Sequence, residues 1–319
     1  MTMASVDRNT YDVAGPAKVT FNGAVFYSAR DLSIRVQAKT FDLEIEAVPT
    51  RDKRVHYWES QFDIVPDGRW NANVVAALFP WLNARKGQPM FASTDVPLQL
   101  DAADGAVLVV QSCIVTKMPR IIFSQKKSLI EAARFRALRT NAGTPTTNNS
   151  LVSYAASGGA FVDSSFTGLG MIPTQPYTLA FGSKTGFTGV HGIEGITLEF
   201  DMTMHDIDVE GQGVWNVHFI DVRAFLRFMP FEISAANVLA AINAQGTGAL
   251  APGARLGSVG VQVTITGDAD SNTYLTAPNC TATLNTQRYG ARPLRNGELE
   301  IEINRPDPVA GVQQALCTL

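Results

Sequence analysis

The sequence contains few cysteines, no excess of basic residues and no long apolar run. Three cysteines among 319 residues are an odd number at wide spacing, which favours reduced thiols over a disulfide framework. The net charge is −3, from 26 Lys and Arg against 29 Asp and Glu, so the chain lacks the basic excess that non-specific duplex binding needs. The longest charge-free stretches, residues 141–162 and 233–254, are broken by Gly, Asn, Thr or Pro, which predicts no membrane-spanning helix.

The N-terminal residues also lack the features of a secretory signal. Asp7, Arg8 and Asp12 interrupt the first fifteen residues, where a signal peptide has a basic start and an apolar centre. We therefore expect no export by that route. With 45% apolar and 17% charged residues, the composition is typical of a folded globular protein, and this length predicts about two domains.

An internal repeat is the strongest signal in the chain. Four segments of the first half have counterparts in the second half, in the same order and at offsets of 157 to 167 residues. The paired segments begin at Leu32 and Ile196, Tyr57 and Val214, Asn73 and Asn237, and Leu108 and Leu275. The second pair aligns Trp58 with Trp215. We predict two tandem copies of one domain, at residues 1–140 and 171–319, with a linker or long surface loop at 141–170.

Each copy has the apolar alternation of half-buried β-strands. Residues 32–38 and 196–204 alternate apolar and polar side chains, and the apolar phase of the first run switches after Thr40, which predicts a bulge or bend there. Turn residues follow each run, so each copy is predicted to contain a long hairpin. Closing strands are predicted at residues 130–138 and 299–303, the latter with an acidic outer face.

One short helix is expected in each copy. The predicted spans are residues 71–82 and 235–243, with Asn71 and Ser234 as N-caps.

Motifs for chemistry are weak. Lys184, Thr185 and Gly186 spell the K-T-G of penicillin-recognising serine enzymes, and residues 124–127 match S-x-x-K, but no S-D-N lies between them and Ser124 is expected in a β-rich region. His205 and His218 flank acidic residues without a specific ligand spacing, so solvated strand positions are favoured over a metal site. We expect no catalytic residue, no metal site and no cofactor.

Two further features have alternative interpretations. Trp58 and Trp215 lie in alternating strands and are predicted to anchor the core, against a ligand-stacking role. Residues 1–140 hold 18 Lys and Arg against 14 Asp and Glu, whereas residues 141–319 hold 8 against 15, so the halves carry +4 and −7. Unequal halves usually reflect solvated faces, but complementary patches would also set the register of a self-stacking protein.

Four features of the first copy, within about residues 17–139, form a combined pattern: an opening F-N-G strand at residues 21–23, the polar long hairpin, L-F-P at 78–80 and V-T-K-M-P at 115–119. In these features the first copy resembles the tail tube protein of long-tailed, siphovirus-like bacteriophages and prophages. The second copy, residues 177–304, is linked to the family through the internal repeat. Its counterpart of L-F-P is Ile242-Asn243-Ala244.

The resemblance implies tandem β-sandwich domains, each with a short flanking helix and with long hairpin strands that join an inner β-barrel between subunits. It implies a homotrimer that forms pseudo-hexameric rings, and rings that stack into the tube through which DNA is delivered, without specific binding. Closure into a barrel also removes the open strand edges of a long hairpin. The implied partners are further copies of the chain and the tape measure, baseplate and terminator proteins. The implied location is the virion tail, assembled in the host cytoplasm.

The lumen and stacking residues follow from this resemblance. A lumen that passes DNA is expected to be neutral to acidic, and the candidate lumen residues are Asp42, Glu44, Glu46, Glu199 and Asp201. The same acids could instead lie on a solvated outer face. The candidate ring-stacking residues are Arg51, Lys53, Arg54, Gly211, Gln212 and Gly213.

Three alternatives stay open. A tail terminator or a baseplate ring that initiates the tube would share the fold but would not polymerise without end. A two-domain β-sandwich carbohydrate-binding or adhesive module would need Trp58 and Trp215 exposed. An enzyme is the least favoured, because no catalytic constellation is present in the sequence.

Overall fold

A computed structural model describes most of the chain. The described residues are 17–30, 32–43, 52–91, 96–102, 105–138, 151–155, 171–182, 187–209, 213–231, 261–287, 296–306, 308–309 and 313–319. Within these residues the chain is mainly β, with antiparallel sheets and a single short helix. The predicted fold class is therefore confirmed at the level of a mainly β protein.

The first half supplies eleven described strands and the helix. In chain order they are β1 (Lys18–Phe21), β2 (Ala24–Tyr27), β3 (Arg35–Leu43), β4 (Asp52–Ile64), α1 (Ala72–Leu78), β5 (Leu98–Asp101), β6 (Val107–Val110), β7 (Cys113–Lys117), β8 (Ile121–Phe123), β9 (Leu129–Ile130), β10 (Ala133–Leu138) and β11 (Val152–Ala155).

The second half supplies six described strands, several of them much longer. They are β12 (Tyr177–Phe181), β13 (Val190–Val209), β14 (Gly213–Pro230), β15 (Val261–Gly267), β16 (Thr273–Gln287) and β17 (Asn296–Ile303). We call β3–β4 the first hairpin and β13–β14 the second hairpin.

The first half forms two sheets around one core. One has the order β11-β6-β5-β1-β2, and the other has the order β3-β4-β10-β7. Phe21 on β1 contacts Phe135 on β10 edge to face, with ring centroids 5.2 Å apart, and both side chains are buried. Aromatic contacts of this kind bury large areas, so they tie the two sheets together.

The second half closes the equivalent strands into a single sheet. Its order is β12-β15-β16-β17-β14-β13, and β12 pairs again with β13 to close the ring of six strands. The hairpin β8–β9 of the first half adds to β13, where Phe123 faces Ile196. A strand of one half therefore extends the sheet of the other.

The strand registers repeat between the halves. Phe21 pairs with Leu98 in the first half, and the equivalent pair in the second half is Phe181 with Val263. Likewise, Leu100 pairs with Leu108 in the first half, and the equivalent pair is Ile265 with Leu275. The same holds in the second sheet, where Ala137 faces Cys113 as Ile303 faces Cys280. The offset of 167 predicted for the Leu108 and Cys113 segment thus agrees with the pairing.

The hairpins repeat at an offset of 164 in both strands, including their irregularity. Arg35 faces Gln61 as Glu199 faces Phe225. A register shift lies between Lys39 and Thr40 in the first hairpin, and the matching shift lies between Thr203 and Met204 in the second. The bulge predicted near Thr40 is therefore present, and it re-aims the strand in both halves.

One predicted alignment does not agree with the registers. The sequence match at an offset of 157 pairs Trp58 with Trp215 and Phe62 with Phe219, whereas the strand pairing makes Val222 the counterpart of Trp58. Hydrophobic alternation repeats every two residues, so it does not by itself show which residues of two strands correspond. The pairing of each strand with its partner decides the alignment.

Several element boundaries also differ from prediction. The helix begins as predicted, with the Asn71 side chain accepting a hydrogen bond from the Val74 N–H at 3.0 Å, but it ends at Leu78 because Pro80 stops its continuation. The strand predicted from residue 32 begins at Arg35. The strand predicted at 130–138 is divided between β9 and β10.

The opening F-N-G segment is only partly strand: Phe21 ends β1, and the following two residues form a turn. Asn22 and Gly23 have φ values of 47° and 78° and connect β1 directly to β2. Both central residues of this two-residue hairpin have positive φ, which explains the Asn-Gly sequence.

The predicted linker and the predicted second helix remain to be compared with the structure. The segment predicted as aperiodic linker contains β11, which pairs with β6 at the sheet edge. The helix predicted at residues 235–243 lies outside the described residues. In the described part of the chain, no helix has both the length and the apolar character that crossing a membrane requires.

Candidate functional site

The second hairpin has one apolar face and one polar face. Ile196, Leu198 and Phe200 are buried, while the intervening Glu199 is half-buried and Asp201 is exposed. This is the alternation that the sequence predicted, because successive side chains of a strand point to opposite faces of the sheet. Glu199 and Asp201, the two candidate lumen residues of this half, thus lie together on the polar face.

Glu199 is held between two arginines. Its Oε1 accepts a hydrogen bond from Arg120 of the first half at 2.9 Å, and its Oε2 accepts one from Arg227 on β14 at 2.7 Å. Arg227 also donates to Glu300 on β17 at 2.8 Å. The charge of Glu199 is therefore compensated, so Asp201, which faces Arg223 in the register, is the more open acid.

The other candidate positions are only partly described. Asp42 faces Lys53 and Phe41 faces Arg54 in the first hairpin, and Gly213 begins β14 opposite Val209, but these residues are described at the level of strand pairing alone. Glu44, Glu46, Arg51, Gly211 and Gln212 lie outside the described residues.

Arg136, whose side chain is 9% exposed, forms an ion pair between the halves. Its guanidinium donates to Glu59 of the same half at 3.0 Å and to Asp206 of the second hairpin at 2.7 Å. Burial alone would lower the pKa of Arg136, but the hydrogen bonds and charges of Asp206 and Glu59 outweigh burial and raise that pKa. Arg136 therefore stays charged and joins the two halves.

Residues 79–91, which we call the covering segment, pack from the first half onto the second hairpin. The ring centroids of Phe79 and Phe200 are 5.5 Å apart, and those of Trp81 and Phe219 are 6.2 Å apart. The backbone of the segment also pairs with β14, since Gly87 N–H donates to the Phe219 carbonyl at 2.8 Å. The apolar face of the second hairpin is buried by this contact.

The same face of the first hairpin is open. Val36 and Trp58 are 42% and 43% exposed, whereas their register counterparts Phe200 and Val222 are 7% and 4% exposed. Part of the difference is that Phe200 packs against Phe79 of the covering segment. The first hairpin thus displays an apolar surface at the positions that its counterpart buries.

The prediction that both tryptophans anchor the core is wrong. Trp58 is 43% exposed, and Trp215, near the end of the second hairpin, is 41% exposed. Apolar residues therefore continue the alternation at strand positions where the described side chains are more than one-third exposed. The tryptophans that pack inside are Trp70 and Trp81, and the Trp81 indole donates to the Val115 carbonyl at 2.7 Å.

Equivalent ion pairs of the two halves have opposite polarity. Arg134 on β10 pairs with Asp63 on β4 at 2.8 Å. At the corresponding register positions, Glu300 on β17 pairs with Arg227 on β14 at 2.8 Å. The outer face of the closing strand is therefore basic in the first half and acidic in the second, as the alternating glutamates of residues 298–302 predicted.

The remaining candidate groups form no reactive site in the described residues. His205 and His218 face each other across the second hairpin, and no group of three or more His, Cys, Asp or Glu there is placed to hold a metal. Ser124 lies in the turn after β8, where its hydroxyl accepts from the Lys126 N–H, rather than at a helix start. The K-T-G of residues 184–186 is outside the described residues.

The three cysteines are free, which agrees with the predicted reduced thiols, and the structure buries all three. Burial raises the pKa of each thiol, to about 12 for Cys317. Neutral, buried thiols of this kind are unreactive.

No protein-family model matches the chain, and no curated protein matches it.

Proposed function

We propose that the chain is a structural protein of a bacteriophage or prophage tail that assembles into stacked rings and forms the tail tube. The first support is the resemblance of residues 17–139 to that family. The second support is that equivalent strands have equivalent neighbours and matching registers in both halves, although the first half divides these strands between two sheets. A chain with two equivalent units can occupy two positions of a six-membered ring, so three chains complete it.

The observation that carries this proposal is the difference between the two hairpins. One hairpin is covered by the other half of the same chain, and the equivalent hairpin exposes Val36 and Trp58. The contact within the chain joins two different surfaces, and the first hairpin presents the receiving surface a second time. If the same contact forms between chains, a closed ring results when the rotation between successive units adds up to a full turn. The role proposed is structural and needs no catalytic residue, cofactor or metal.

The proposed tube is a conduit whose wall is polar. The long strands have one polar face, and Asp201 is an exposed acid on it. A wall without a basic excess does not retain DNA by releasing counterions, so DNA can pass. In this proposal the virion tail is the final location, and the tape measure, baseplate and terminator proteins are the other partners.

The test is electron microscopy of the purified protein in negative stain, combined with light scattering for mass. The expected result is hollow rings or tubes with apparent sixfold symmetry and a ring mass of three chains. A closed ring that does not stack at high protein concentration would instead support a terminator or tube-initiating ring. A monomer at every concentration would contradict the proposal.

The exposed tryptophans favour a second candidate, a β-sandwich module that binds carbohydrate. Trp58 and Trp215 have the exposure that an aromatic platform needs, although they occupy different register positions in the two halves. The test is titration with a panel of soluble glycans while tryptophan fluorescence is recorded. Saturable quenching in the wild-type protein that is absent from the Trp58→Ala variant and from the Trp215→Ala variant would support this candidate over a tube protein.

A further inference from the structure

Residues 313–319, which we call the clasp, reach from the second half to the covering segment of the first half. The Leu316 N–H donates to the Leu82 carbonyl at 2.9 Å. The side-chain amide of Gln313 donates to the Ala84 carbonyl at 2.6 Å. The clasp is therefore bonded to the first half through both backbone and side chain.

The clasp is also part of the second half. Thr318 pairs with Thr276 of β16 through two backbone hydrogen bonds, at 2.8 and 2.9 Å. Leu316 and Cys317 are 1% and 3% exposed and belong to the core. Burial of apolar side chains and strand pairing hold the clasp in place, so it contacts both halves at once.

The clasp has an equivalent in the first half, at β11. Ser153 of β11 pairs with Val109 of β6. The strand registers make Val109 the equivalent of Thr276, with which Thr318 of the clasp pairs. Ser153 and Thr318 are therefore equivalent, and the sequences that end on them, L-V-S and L-C-T, match at an offset of 165 residues.

The two equivalent segments differ in what they join. In the described residues β11 pairs with its own half, and the Gln111 N–H donates to the carbonyl of the adjoining Leu151 at 3.0 Å. The equivalent of Gln111 at the offset of 167 is Pro278, which has no N–H and cannot form this bond. Leu316, the equivalent of Leu151, bonds to the first half through its own N–H. The first segment thus closes one half, whereas the clasp links two.

From this difference we propose that the clasp locks the two halves in one orientation by holding the covering segment from its second side. Residues 82–84 of that segment are bonded to the clasp. Further along, the Gly87 and Met90 N–H groups donate to carbonyls of β14 at 2.8 and 2.7 Å. Opening the clasp frees one end of the covering segment and thereby loosens its hydrogen bonds to the second hairpin.

The consequence for assembly rests on the proposed function. In a ring of three chains the two halves of each chain occupy adjacent positions, so the ring closes only when the angle between them is constant. A chain whose clasp is open would still fold, but it would form closed rings at a higher protein concentration.

The experiment is hydrogen exchange, resolved to single amides by nuclear magnetic resonance, on wild type, Leu316→Ser and Leu151→Ser. Leu151→Ser is the matched control, because it replaces the equivalent buried leucine where no link between the halves is made. We expect Leu316→Ser to raise the exchange rates of the Gly87 and Met90 amides by about 10-fold or more, since these amides exchange through local opening. The Asp67 amide, which is bonded within the first half, should keep its wild-type rate. Leu151→Ser should leave the Gly87 and Met90 rates unchanged.

A second variant makes the test independent of a core residue. Gln313→Ala removes the side-chain amide that donates to Ala84, at a position that is half-buried. We expect it to raise the same two exchange rates by about 2- to 10-fold, as the loss of one hydrogen bond does. Far-ultraviolet circular dichroism and a thermal melt establish that each variant is folded.

The outcomes separate the clasp from the proposed tube function. Faster exchange confined to the covering segment supports the clasp. Exchange that rises equally throughout both halves in Leu316→Ser, or that does not rise at Gly87 and Met90, would overturn it. Light scattering on the same samples tests assembly: a wild type that stays monomeric would overturn the tube function and leave the clasp standing. Wild-type tubes together with unchanged exchange in both clasp variants would do the reverse.

Discussion

Arg136 illustrates how one buried charge joins distant parts of the chain. Its side chain is 9% exposed and lies between Glu59 on β4 and Asp206 on β13. The removal of Arg136 leaves the buried Glu59 carboxylate with Lys39, 2.6 Å away, as its ion-pair partner, while Asp206 is 43% exposed and can be solvated. The contribution of Arg136 to stability is therefore best measured by replacing it.

We predict that Arg136→Met lowers the free energy of unfolding by about 1 to 3 kcal/mol, because the buried Glu59 carboxylate loses one of its two charged partners. Arg134→Met is the matched control on the same strand, because its pair with Asp63 is about half exposed and such pairs contribute about 0 to 1 kcal/mol. Urea unfolding followed by circular dichroism measures both. Equal losses in the two variants would contradict the role assigned to Arg136.

Asp270 provides a test by pH. Asp270 is exposed, and desolvation by its neighbours alone would raise the pKa of its carboxyl, but hydrogen bonds from the Tyr274 hydroxyl and the Asn272 N–H lower that pKa from 3.8 to about 2. Because the folded-state pKa lies below the ordinary value, the carboxylate stabilises the fold above about pH 4. That contribution is lost as the pH falls through about 2.

We therefore expect Asp270→Asn to lower the melting temperature at pH 7, with a difference from wild type that shrinks as the pH falls from 4 to 2. Thermal melts at pH 7, 4, 3 and 2.5 measure this. Tyr274→Phe, which removes one donor, should weaken the same pH dependence. A difference that stays constant down to pH 2.5 would contradict the assignment.

At the scale of elements, α1 shows what a local signal can predict. Asn71 caps the helix by accepting from the Val74 N–H, and Val74, Ala77 and Leu78 are buried on its inner face. The capping residue and apolar spacing are local properties of the sequence, so the helix start was predicted correctly. Its end depended on Pro80, whose ring is incompatible with a preceding helical residue.

Asn71→Ala is expected to lower the free energy of unfolding by about 1 kcal/mol, since an N-cap side chain satisfies an otherwise unpaired N–H. Asn73→Ala, an exposed substitution within the same helix, is the control and should have no destabilising effect. Urea unfolding compares the two. A loss in Asn73→Ala as large as that in Asn71→Ala would exclude capping as the cause.

Strand continuity was less predictable than strand existence. The first half divides its strands at residues 28–34 and 111–112, with Ser112 at a φ of 48°, whereas β13 and β16 run through the equivalent positions. Alternation was visible on both sides of each break. Whether a strand continues or turns to another sheet depends on the partner strands, which local periodicity does not contain.

At the scale of the whole molecule, the unequal charge of the halves is the feature to test. Residues 1–140 carry a net charge of +4 and residues 141–319 a net charge of −7. The candidate stacking residues Lys53 and Arg54 belong to the first hairpin, in the basic half. Exposed charges act through water and are screened over about 8 Å at physiological salt. Contacts between rings that depend on them should therefore weaken as salt increases.

We predict that Lys53→Glu with Arg54→Glu shortens the assemblies and changes their salt dependence, while rings persist. Lys126→Glu with Lys127→Glu, an exposed pair in the turn after β8, is the control with the same change in net charge. Sedimentation velocity at low and high salt measures assembly length. Unchanged length and salt dependence in the first variant would contradict a stacking role for these residues.

Local patterns and self-comparison of the sequence predict the mainly β class, the capped start of α1, the bulge near Thr40 and the repeat at offsets of 164 and 167, because these depend on neighbouring residues or on the two halves directly. The register counterpart of Trp58, the exposure of both hairpin tryptophans and the packing of residues 79–91 on the second hairpin became visible in the folded chain. Burial and register depend on residues far away in the chain, and two strands with the same alternation differ only in what the rest of the molecule places against them.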